Sequence, residues 1–253
     1  ISNPIRNIDD INALKCLDDP DTSLPFIREI LTSLRSEVDG NSTLLGFIGT
    51  PWTLAAYSME GRSDRHLIAT KQIMTQNPEI LHRYLSHLAE VLTVYVCHQI
   101  DCGAQVVQLF DSWAHHLSPQ QFAEFSLPYS ERVINAVKAK YPQTPVIFHA
   151  NGGVGKLEIM KESSADVIGL DWSTSMVEAR NIFGPDRVLQ GNMDPMYLFA
   201  DEDRIKREVA KNISAAGHGK HILNVGHGVV QGTPEQSVKI FCDAARKASY
   251  DSF

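Results

Sequence analysis

An α/β fold with a parallel sheet is predicted by two patterns in the sequence. Six short apolar runs are each followed by a polar or glycine-rich turn and then by a longer segment with helical spacing. In addition, Thr50, Ser118 and Thr233 each stand directly before a proline, which is typical of a helix start. Short β-branched runs that alternate with helices are typical of βα units, in which helices cover parallel strands.

The elements follow from these patterns in chain order. The apolar runs predict strands over residues 44–49, 106–110, 146–148, 167–170, 188–189 and 222–225. A glutamine follows two of the helix starts, Gln121 and Gln236, so that both are predicted to form a capping box. The longest helix is predicted over residues 78–101, where apolar residues recur on one stripe that we expect to face the core.

Polar and aromatic residues follow every predicted strand, and the carboxyl ends of parallel strands form the ligand-binding edge of α/β proteins. The residues that follow all six predicted strands are expected to lie at one rim, and the sequence contains no dinucleotide-binding fingerprint. We therefore predict a closed (β/α)8 barrel. Six units are visible where eight are required. We therefore expect residues 1–253 to form a single barrel domain that is N-terminally truncated and lacks its first one or two βα units, in agreement with an initial Ile1.

Composition excludes several classes of function. The 253 residues carry a formal net charge of −7, with 43% hydrophobic and 21% charged residues. Without blocks of Lys and Arg, nucleic acid is not an expected partner, and without a long apolar run neither is a membrane.

Four cysteines without CxxC spacing are predicted to be reduced, mostly buried thiols of an intracellular protein.

No metal or phosphate site is predicted. Residues 152–156 contain three glycines and a lysine, but the spacing of a Walker motif is not met, so a flexible turn is the expectation. His115 and His116 are adjacent, and neighbouring side chains on an α-helix diverge, which favours a surface feature over a joint ligand. A zinc site with a thiolate ligand would need a cysteine where the sequence has Asn151, so zinc-thiolate chemistry is not expected.

Three polar residues near strand ends are candidates for a ligand site. His227 stands between two glycines, which give its imidazole room to reach a ligand. Ser112 shares a strand face with Phe110, which predicts a hydroxyl beside an apolar wall. A serine after a strand also commonly caps a helix, and the two interpretations are equally good. For Tyr57, spacing alone slightly favours packing within a helix over a place at the rim.

Taken together, the motifs resemble those of the uroporphyrinogen decarboxylase family of haem and chlorophyll synthesis. The segments that carry the resemblance are 46–54 with Tyr57 and 60–61, 103–105 leading to 110–112, 169–172, 190–192 with 194–195, and 224–228. They occur in the order of the family and span nearly the whole chain, so the match is specific.

The resemblance implies a single (β/α)8 barrel, a homodimer, no cofactor, and stepwise loss of CO2 from the four acetates of uroporphyrinogen III to give coproporphyrinogen III. It also implies that Tyr57 is catalytic and that Tyr57, Ser112 and His227 meet at one mouth and contact the porphyrinogen, with Phe110 as an apolar wall. The family's arginine-rich substrate segment and its aspartate precede the first matching segment. We therefore expect residues 1–253 to be inactive alone.

Two alternatives stay open at this point. One is a zinc-dependent corrinoid or thiol methyltransferase on the same fold, and the other is a non-catalytic tetrapyrrole-binding protein. For location, residues 51–57 and 228–235 most resemble the photosynthetic-lineage form of the family, which suggests the stroma of a plastid (chloroplast); otherwise the cytoplasm is expected.

Overall fold

The computed structural model describes residues 1–62, 64–217 and 220–248. The chain divides into two compact units, unit 1 (residues 1–148 and 163–165) and unit 2 (residues 149–162 and 166–253). Within the described residues, strands alternate with helices along the chain, and each of the six predicted strands is present. The predicted α/β class is therefore confirmed, while the single truncated domain stays a prediction.

Unit 1 holds the first two strands and most of the third. Its strands are β1 (Leu45–Gly49), β2 (Val106–Asp111) and the first three residues of β3 (Val146–Ala150). Its α-helices are α1 (Ile8–Asn12), α2 (Pro20–Ser23), α3 (Pro25–Val38), α4 (Pro51–Glu60), α5 (Ile68–Gln76), α6 (Pro78–Asp101), α7 (Pro119–Phe125) and α8 (Leu127–Lys140). A 3-10 turn spans Ala114–His116.

Unit 2 repeats the same alternation with shorter helices. Its strands are the last two residues of β3, β4 (Val167–Leu170), β5 (Val188–Met193) and β6 (His221–Val225). Its α-helices are α9 (Leu157–Met160), α10 (Met176–Phe183), α11 (Glu202–Ala216) and α12 (Glu235–Lys247), and a 3-10 helix spans Pro195–Phe199.

Parallel pairing aligns the strand ends within each unit. In unit 1, β1 pairs with β2 from Leu45 opposite Val106 to Gly49 opposite Phe110. In unit 2, β4 pairs with β5 and β5 with β6, also in parallel. The carboxyl ends of paired strands consequently lie at the same edge, which places the residues that follow them side by side.

Burial of the predicted apolar stripe on α6 supplies much of the core of unit 1. Four of its members, Leu81, Leu85, Leu92 and Val96, are buried, while Leu88 is half-buried. Each fully buried aliphatic side chain contributes roughly 1.5–3 kcal/mol relative to an exposed one. In unit 2 the equivalent core packs β5 against α11, and its buried members are Met193, Leu198, Ile205 and Val209.

A side-chain amide of α6 completes the hydrogen bonding of β1. The backbone N–H of Phe47 donates to Oε1 of Gln99 at 2.9 Å, and Nε2 of Gln99 donates to the carbonyl of Phe47 at 3.1 Å. Gln99 thus supplies both bonds that a further strand would otherwise make. The close approach depends on Gly46, because a Cβ there would lie 2.7 Å from Oε1 of Gln99.

The predicted helix starts are confirmed at two positions and wrong at the third. Thr50 accepts the N–H of Thr53, and Ser118 forms the full capping box with Gln121. The box predicted from Thr233 and Gln236 does not form. There α12 begins at Glu235 with Pro234 as its N-cap, and the hydroxyl of Thr233 donates to the carbonyl of Val230 at 2.6 Å instead.

The cysteines match the sequence-based expectation only in part. All four are free thiols, but Cys16 and Cys242 are exposed whereas Cys97 and Cys102 are buried. The expectation of mostly buried thiols is therefore wrong for half of them. None of the helices in the described ranges combines the length and the apolar character needed to cross a bilayer.

Candidate functional site

Three of the four predicted site residues lie in unit 1, at the ends of β1 and β2. Phe110 is the penultimate residue of β2 and is half-buried, and its ring meets that of Phe47 edge-on at 6.2 Å. Ser112 follows the strand directly and is also half-buried. Tyr57, on α4, is 38% exposed, so its phenol is accessible to a ligand.

Tyr57 and Ser112 are connected through Trp113. The Tyr57 ring packs edge-on against the indole of Trp113, with centroids 5.1 Å apart. Trp113 is nearly buried, and its carbonyl accepts the indole N–H of Trp52 at 3.1 Å. Because Ser112 directly precedes this anchored residue, the structure brings the phenol and the hydroxyl into one neighbourhood of unit 1.

The carboxylate of Asp111 fixes the backbone that carries both groups. It is fully buried and accepts hydrogen bonds from the hydroxyls of Thr50 at 2.9 Å and Thr53 at 2.8 Å, and from that of Ser126. These bonds join the end of β2 to the start of α4 and to α8. Tyr57 lies one helical turn beyond Thr53, so its position on α4 depends on the same anchor.

Two histidines extend the aromatic packing around Trp113. The indole stacks on His116 at 5.0 Å and on His115 at 5.8 Å, and the two imidazoles are 4.2 Å apart. The predicted divergence of these neighbours is wrong, because they lie in a 3-10 turn rather than an α-helix. Nδ1–H of His115 donates to the carbonyl of Ser112 at 3.1 Å, since a carbonyl oxygen only accepts.

The surroundings of His116 disfavour its charged form. Burial is the main cause of a pKa lowered to about 4, and the neighbouring His115, Lys71 and His66 contribute to the same shift. His116 is consequently neutral at pH 7.

His227, the fourth predicted residue, lies in unit 2 just after β6. It is exposed, between Gly226 and Gly228, as the sequence suggested. Gly226 is required for packing, because a Cβ there would lie 2.2 Å from the backbone nitrogen of Trp172. The backbone that carries His227 is thus held against the loop after β4, and its imidazole extends into solvent.

A second buried carboxylate organises the loops around His227. Asp171 accepts the N–H of Gly152 at 3.0 Å and the hydroxyls of Ser173 at 2.6 Å and Thr174. Nδ2 of Asn192 donates to the carbonyl of Asp171 at 2.8 Å, so the loops after β3 and β4 are tied to each other and to the end of β5.

His149 is the second histidine of this neighbourhood and is buried on β3. Burial lowers its pKa to about 4; the carboxylate of Asp171 opposes this shift and the charge of His227 adds to it. His149 is therefore neutral at pH 7 and is a hydrogen-bonding group rather than a charge.

The structure thus brings Tyr57, Phe110 and Ser112 to one end of unit 1 and His227 to the matching strand end of unit 2. That Tyr57, Ser112 and His227 meet at one mouth, with Phe110 as an apolar wall, stays a prediction. Asp111 and Asp171 were not among the predicted site residues, although each stands directly after a predicted strand and next to a polar residue of the same strand end. Among the residues that the structure describes, no cluster of three His, Cys, Asp or Glu side chains could hold a metal ion.

Comparison with known proteins gives one consistent match in sequence. Residues 1–248 match the family described as uroporphyrinogen decarboxylase (URO-D). A protein of Crocosphaera subtropica named uroporphyrinogen decarboxylase is 49% identical over 247 residues, which cover 98% of this chain and 70% of the relative. The protein of the same name from Synechocystis sp. is 48% identical with the same coverage.

Comparison with solved structures supports the fold. A methyltransferase from Methanosarcina mazei superposes with a TM-score of 0.80 at 19% identity, covering 94% of this chain and 68% of that one. A putative vitamin-B12-independent methionine synthase from Listeria monocytogenes gives a TM-score of 0.60, also at 19% identity, over 88% of this chain and 69% of that one. These neighbours are barrel-type enzymes, so the predicted α/β barrel class is confirmed.

The Asp111 anchor leads to a stability prediction. Asp111→Asn keeps the shape of the side chain but replaces one accepting oxygen with a donor, which leaves at least one buried hydroxyl without its acceptor. We expect the free energy of unfolding to fall by about 2–4 kcal/mol in urea titrations. Asp186→Asn, at an exposed position, is the control, with a change within about 0.5 kcal/mol. Equal stability of the two variants would contradict the anchoring role.

The buried His149 leads to a pH prediction. Its pKa is about 4 in the folded state against an ordinary value of 6.5, so the unfolded chain binds the extra proton between these values. The free energy of unfolding should therefore fall as the pH drops from 6.5 towards 4, by up to about 3 kcal/mol. Urea titrations across this range should give a shallower slope for His149→Gln. The same slope in both proteins would refute the assignment.

Proposed function

Because the chain belongs to the uroporphyrinogen decarboxylase family, we propose that it removes CO2 from the four acetate side chains of uroporphyrinogen III and releases coproporphyrinogen III. It is then a carboxy-lyase of tetrapyrrole biosynthesis. The observation that carries this conclusion is 49% identity over 98% of the chain to a protein of that name. At this identity and coverage the reaction, and not only the fold, is expected to be shared.

The chemistry sets what the protein has to supply. A pyrrole acetate cannot lose CO2 directly, because the electron pair of the breaking C–C bond has no acceptor. Protonation of the pyrrole ring carbon creates an iminium that accepts this pair as CO2 departs. Protonation of the resulting exocyclic methylene carbon and loss of the ring proton then give a methyl group, so each acetate consumes one proton and releases one CO2. The protein must hold carboxylates, donate protons and stabilise a transient cation.

Tyr57 and Ser112 suit the first two tasks. Both are hydroxyl donors at least partly accessible to solvent, and both are held by the buried Trp113 and Asp111. We assign to them hydrogen bonds to the reacting carboxylate or its neighbour, with Tyr57 as the catalytic group. Fixed donors of this kind require no reorganisation when charge develops in the transition state. Phe110 is assigned to the apolar face of the macrocycle.

His227 is assigned to a propionate or to the macrocycle itself. Its exposure at the end of β6 and the glycines on both sides support this role. An exposed imidazole donates a hydrogen bond to a carboxylate and packs against a pyrrole ring, and both interactions suit a substrate of this kind. Common placement of His227 with Tyr57 and Ser112 on one substrate is part of the proposal.

Neither alternative function is favoured. The likeness to methyltransferase and methionine synthase structures is at 19% identity and concerns the fold alone. Several relatives named uroporphyrinogen decarboxylase match at 44–49% identity across nearly the whole chain.

A plastid is the proposed location. Support comes from the relatives, which are cyanobacterial proteins at 44–49% identity. Plastids descend from cyanobacteria, so a plastid enzyme resembles this group more than other bacterial ones.

The site assignment is tested by substitution in the full-length chain. Tyr57→Phe should lower kcat/KM for uroporphyrinogen III by about 100-fold, and His227→Asn and Ser112→Ala by roughly tenfold each. Partly decarboxylated porphyrinogens should accumulate, as measured by chromatography of the oxidised products. Tyr95→Phe, a half-buried tyrosine of α6, is the matched control and should stay within about twofold of the wild type. If all three site variants behave like this control, the assignments fail.

We further propose that the chain forms a homodimer. Unit 2 exposes Trp172 (51%), Val177 (56%) and Met196 (55%), apolar side chains of a type that protein interfaces cover. Sedimentation equilibrium of residues 1–253 should give about twice the monomer mass of 28.1 kDa. Val177→Lys, which adds a charge at the most exposed of the three, should shift the equilibrium towards the monomer. A monomer at micromolar concentrations in the wild type would refute the proposal.

A further inference from the structure

Outside the residues assigned to the porphyrinogen, unit 1 carries a row of three side chains that contact one another in turn. Nδ1 of His82, on α6, lies 2.6 Å from the hydroxyl oxygen of Tyr129, on α8. Nε2 of the same imidazole lies 3.6 Å from Oε1 of Glu124, on α7. We call Tyr129, His82 and Glu124 the tyrosine triad.

The neighbours of His82 decide which of its nitrogens holds the proton in the neutral ring. An ionised carboxylate only accepts hydrogen bonds, so Glu124 favours a proton on Nε2. Nδ1 then carries the lone pair and accepts the hydroxyl proton of Tyr129. The phenol is therefore paired with a base, and the base has a carboxylate behind it.

Packing holds the imidazole of His82 in this orientation. Its ring stacks on the buried ring of Phe125, with the centroids 4.8 Å apart and an angle of 20° between the planes. Phe125 belongs to α7, as does Glu124, so one short helix contacts both the face and the Nε2 edge of the imidazole. A base that is positioned before the reaction needs little reorganisation when it takes up a proton.

The triad is accessible from solvent. The side chains of His82 and Glu124 are 38% and 50% exposed, and Tyr129 is half-buried. Burial raises the pKa of Tyr129, so the phenol keeps its proton until a base removes it. The guanidinium of Arg132, 6.0 Å from the centre of the Tyr129 ring, opposes this rise in pKa because a nearby cation stabilises the phenolate.

A second tyrosine at the other end of α8 shows what the imidazole adds. The hydroxyl of Tyr141 donates to Oδ1 of Asp101 at 2.6 Å, the same distance as in the triad. Tyr141 is also half-buried. A carboxylate accepts a proton far less readily than an imidazole, since their ordinary pKa values are about 4 and about 6.5. The two tyrosines are therefore similar in exposure and in hydrogen bonding, and they differ in the strength of the base.

We propose that Tyr129 is a nucleophilic modification site that takes an acyl group from activated acyl donors, with His82 as its general base. A nucleophile bonded to a base, with a third group that orients the base, is the arrangement that activates hydroxyl nucleophiles in acyl transfer. As the Tyr129 oxygen bonds to the acyl carbon, its proton passes to Nδ1 of His82. The bond from the acyl carbon to the leaving group breaks, and the leaving group keeps the electron pair. The imidazolium, stabilised by Glu124, then releases its proton to solvent. This inference is independent of the proposed decarboxylation, because none of the three residues is assigned to the porphyrinogen.

The direct test is acetylation of the folded protein by p-nitrophenyl acetate, quantified residue by residue with peptide mass spectrometry. We expect Tyr129 to be acetylated about 100-fold faster than Tyr141, because a positioned base removes the proton of Tyr129 as the new bond forms. Both rates come from the same sample, so that differences in reagent or folding cancel. Equal rates at the two tyrosines would overturn the proposal.

Substitutions test the roles of the base and of the carboxylate. His82→Gln keeps a polar side chain but removes the base, so the rate at Tyr129 should fall to about that at Tyr141. Glu124→Gln, at an exposed position where loss of folding is not expected, should lower the rate at Tyr129 about fivefold. His87→Gln, at another half-buried histidine of α6, is the matched control and should change neither rate. Wild-type rates at Tyr129 in both triad variants would refute the role of His82.

Chemical rescue distinguishes a base from a structural support. His82→Ala leaves a space that is open to solvent, because the imidazole it removes is partly exposed. Free imidazole added to this variant should raise the rate at Tyr129 about tenfold and the rate at Tyr141 by less than about twofold. If imidazole raised both rates equally, it would be acting in solution alone, and the assignment of His82 as the base of Tyr129 would fail.

Discussion

The buried carboxylate of Asp111 is the interaction on which the site of unit 1 depends. It collects three hydroxyl donors from two helices and holds them to the end of β2, so that Ser112, Trp113 and α4 keep fixed positions. Asp171 plays the corresponding part in unit 2, where it gathers the loops after β3 and β4. In both cases a buried carboxylate, which is costly to bury, accepts hydrogen bonds from donors on separate segments. These bonds hold the segments rigidly together, so that nearby side chains are preorganised for binding.

Electrostatics pose the second constraint. An acidic chain has to bind a polyanion and at the same time disfavour stray charge in its interior. The described neighbourhoods meet this demand with neutral donors and uncharged imidazoles, since burial lowers the pKa of both His116 and His149 to about 4.

Fold and function separate clearly in this protein. Structures that share its architecture at 19% identity include a methyltransferase, whereas proteins at 44–49% identity are named uroporphyrinogen decarboxylase. The shared barrel architecture positions strand ends, and the residues that follow those ends decide the chemistry. Ser112 and His227 stand in such positions, as does Asp171, while Asp111 ends β2 and Tyr57 lies on α4, the helix that follows β1.

Local patterns in the sequence determined the six strands, the long helix α6 and two of the three predicted helix starts. This is because β-branched runs, an apolar stripe along a helix and a capping hydroxyl each act over a few residues. The same patterns located Ser112 and His227 next to strand ends. Only the tertiary structure decided that Thr233 does not cap a helix, that His115 and His116 stack on Trp113, and that Trp113 packs against Tyr57. Whether such contacts form depends on burial and mutual orientation, even where the residues are close in the chain, and no local pattern encodes these.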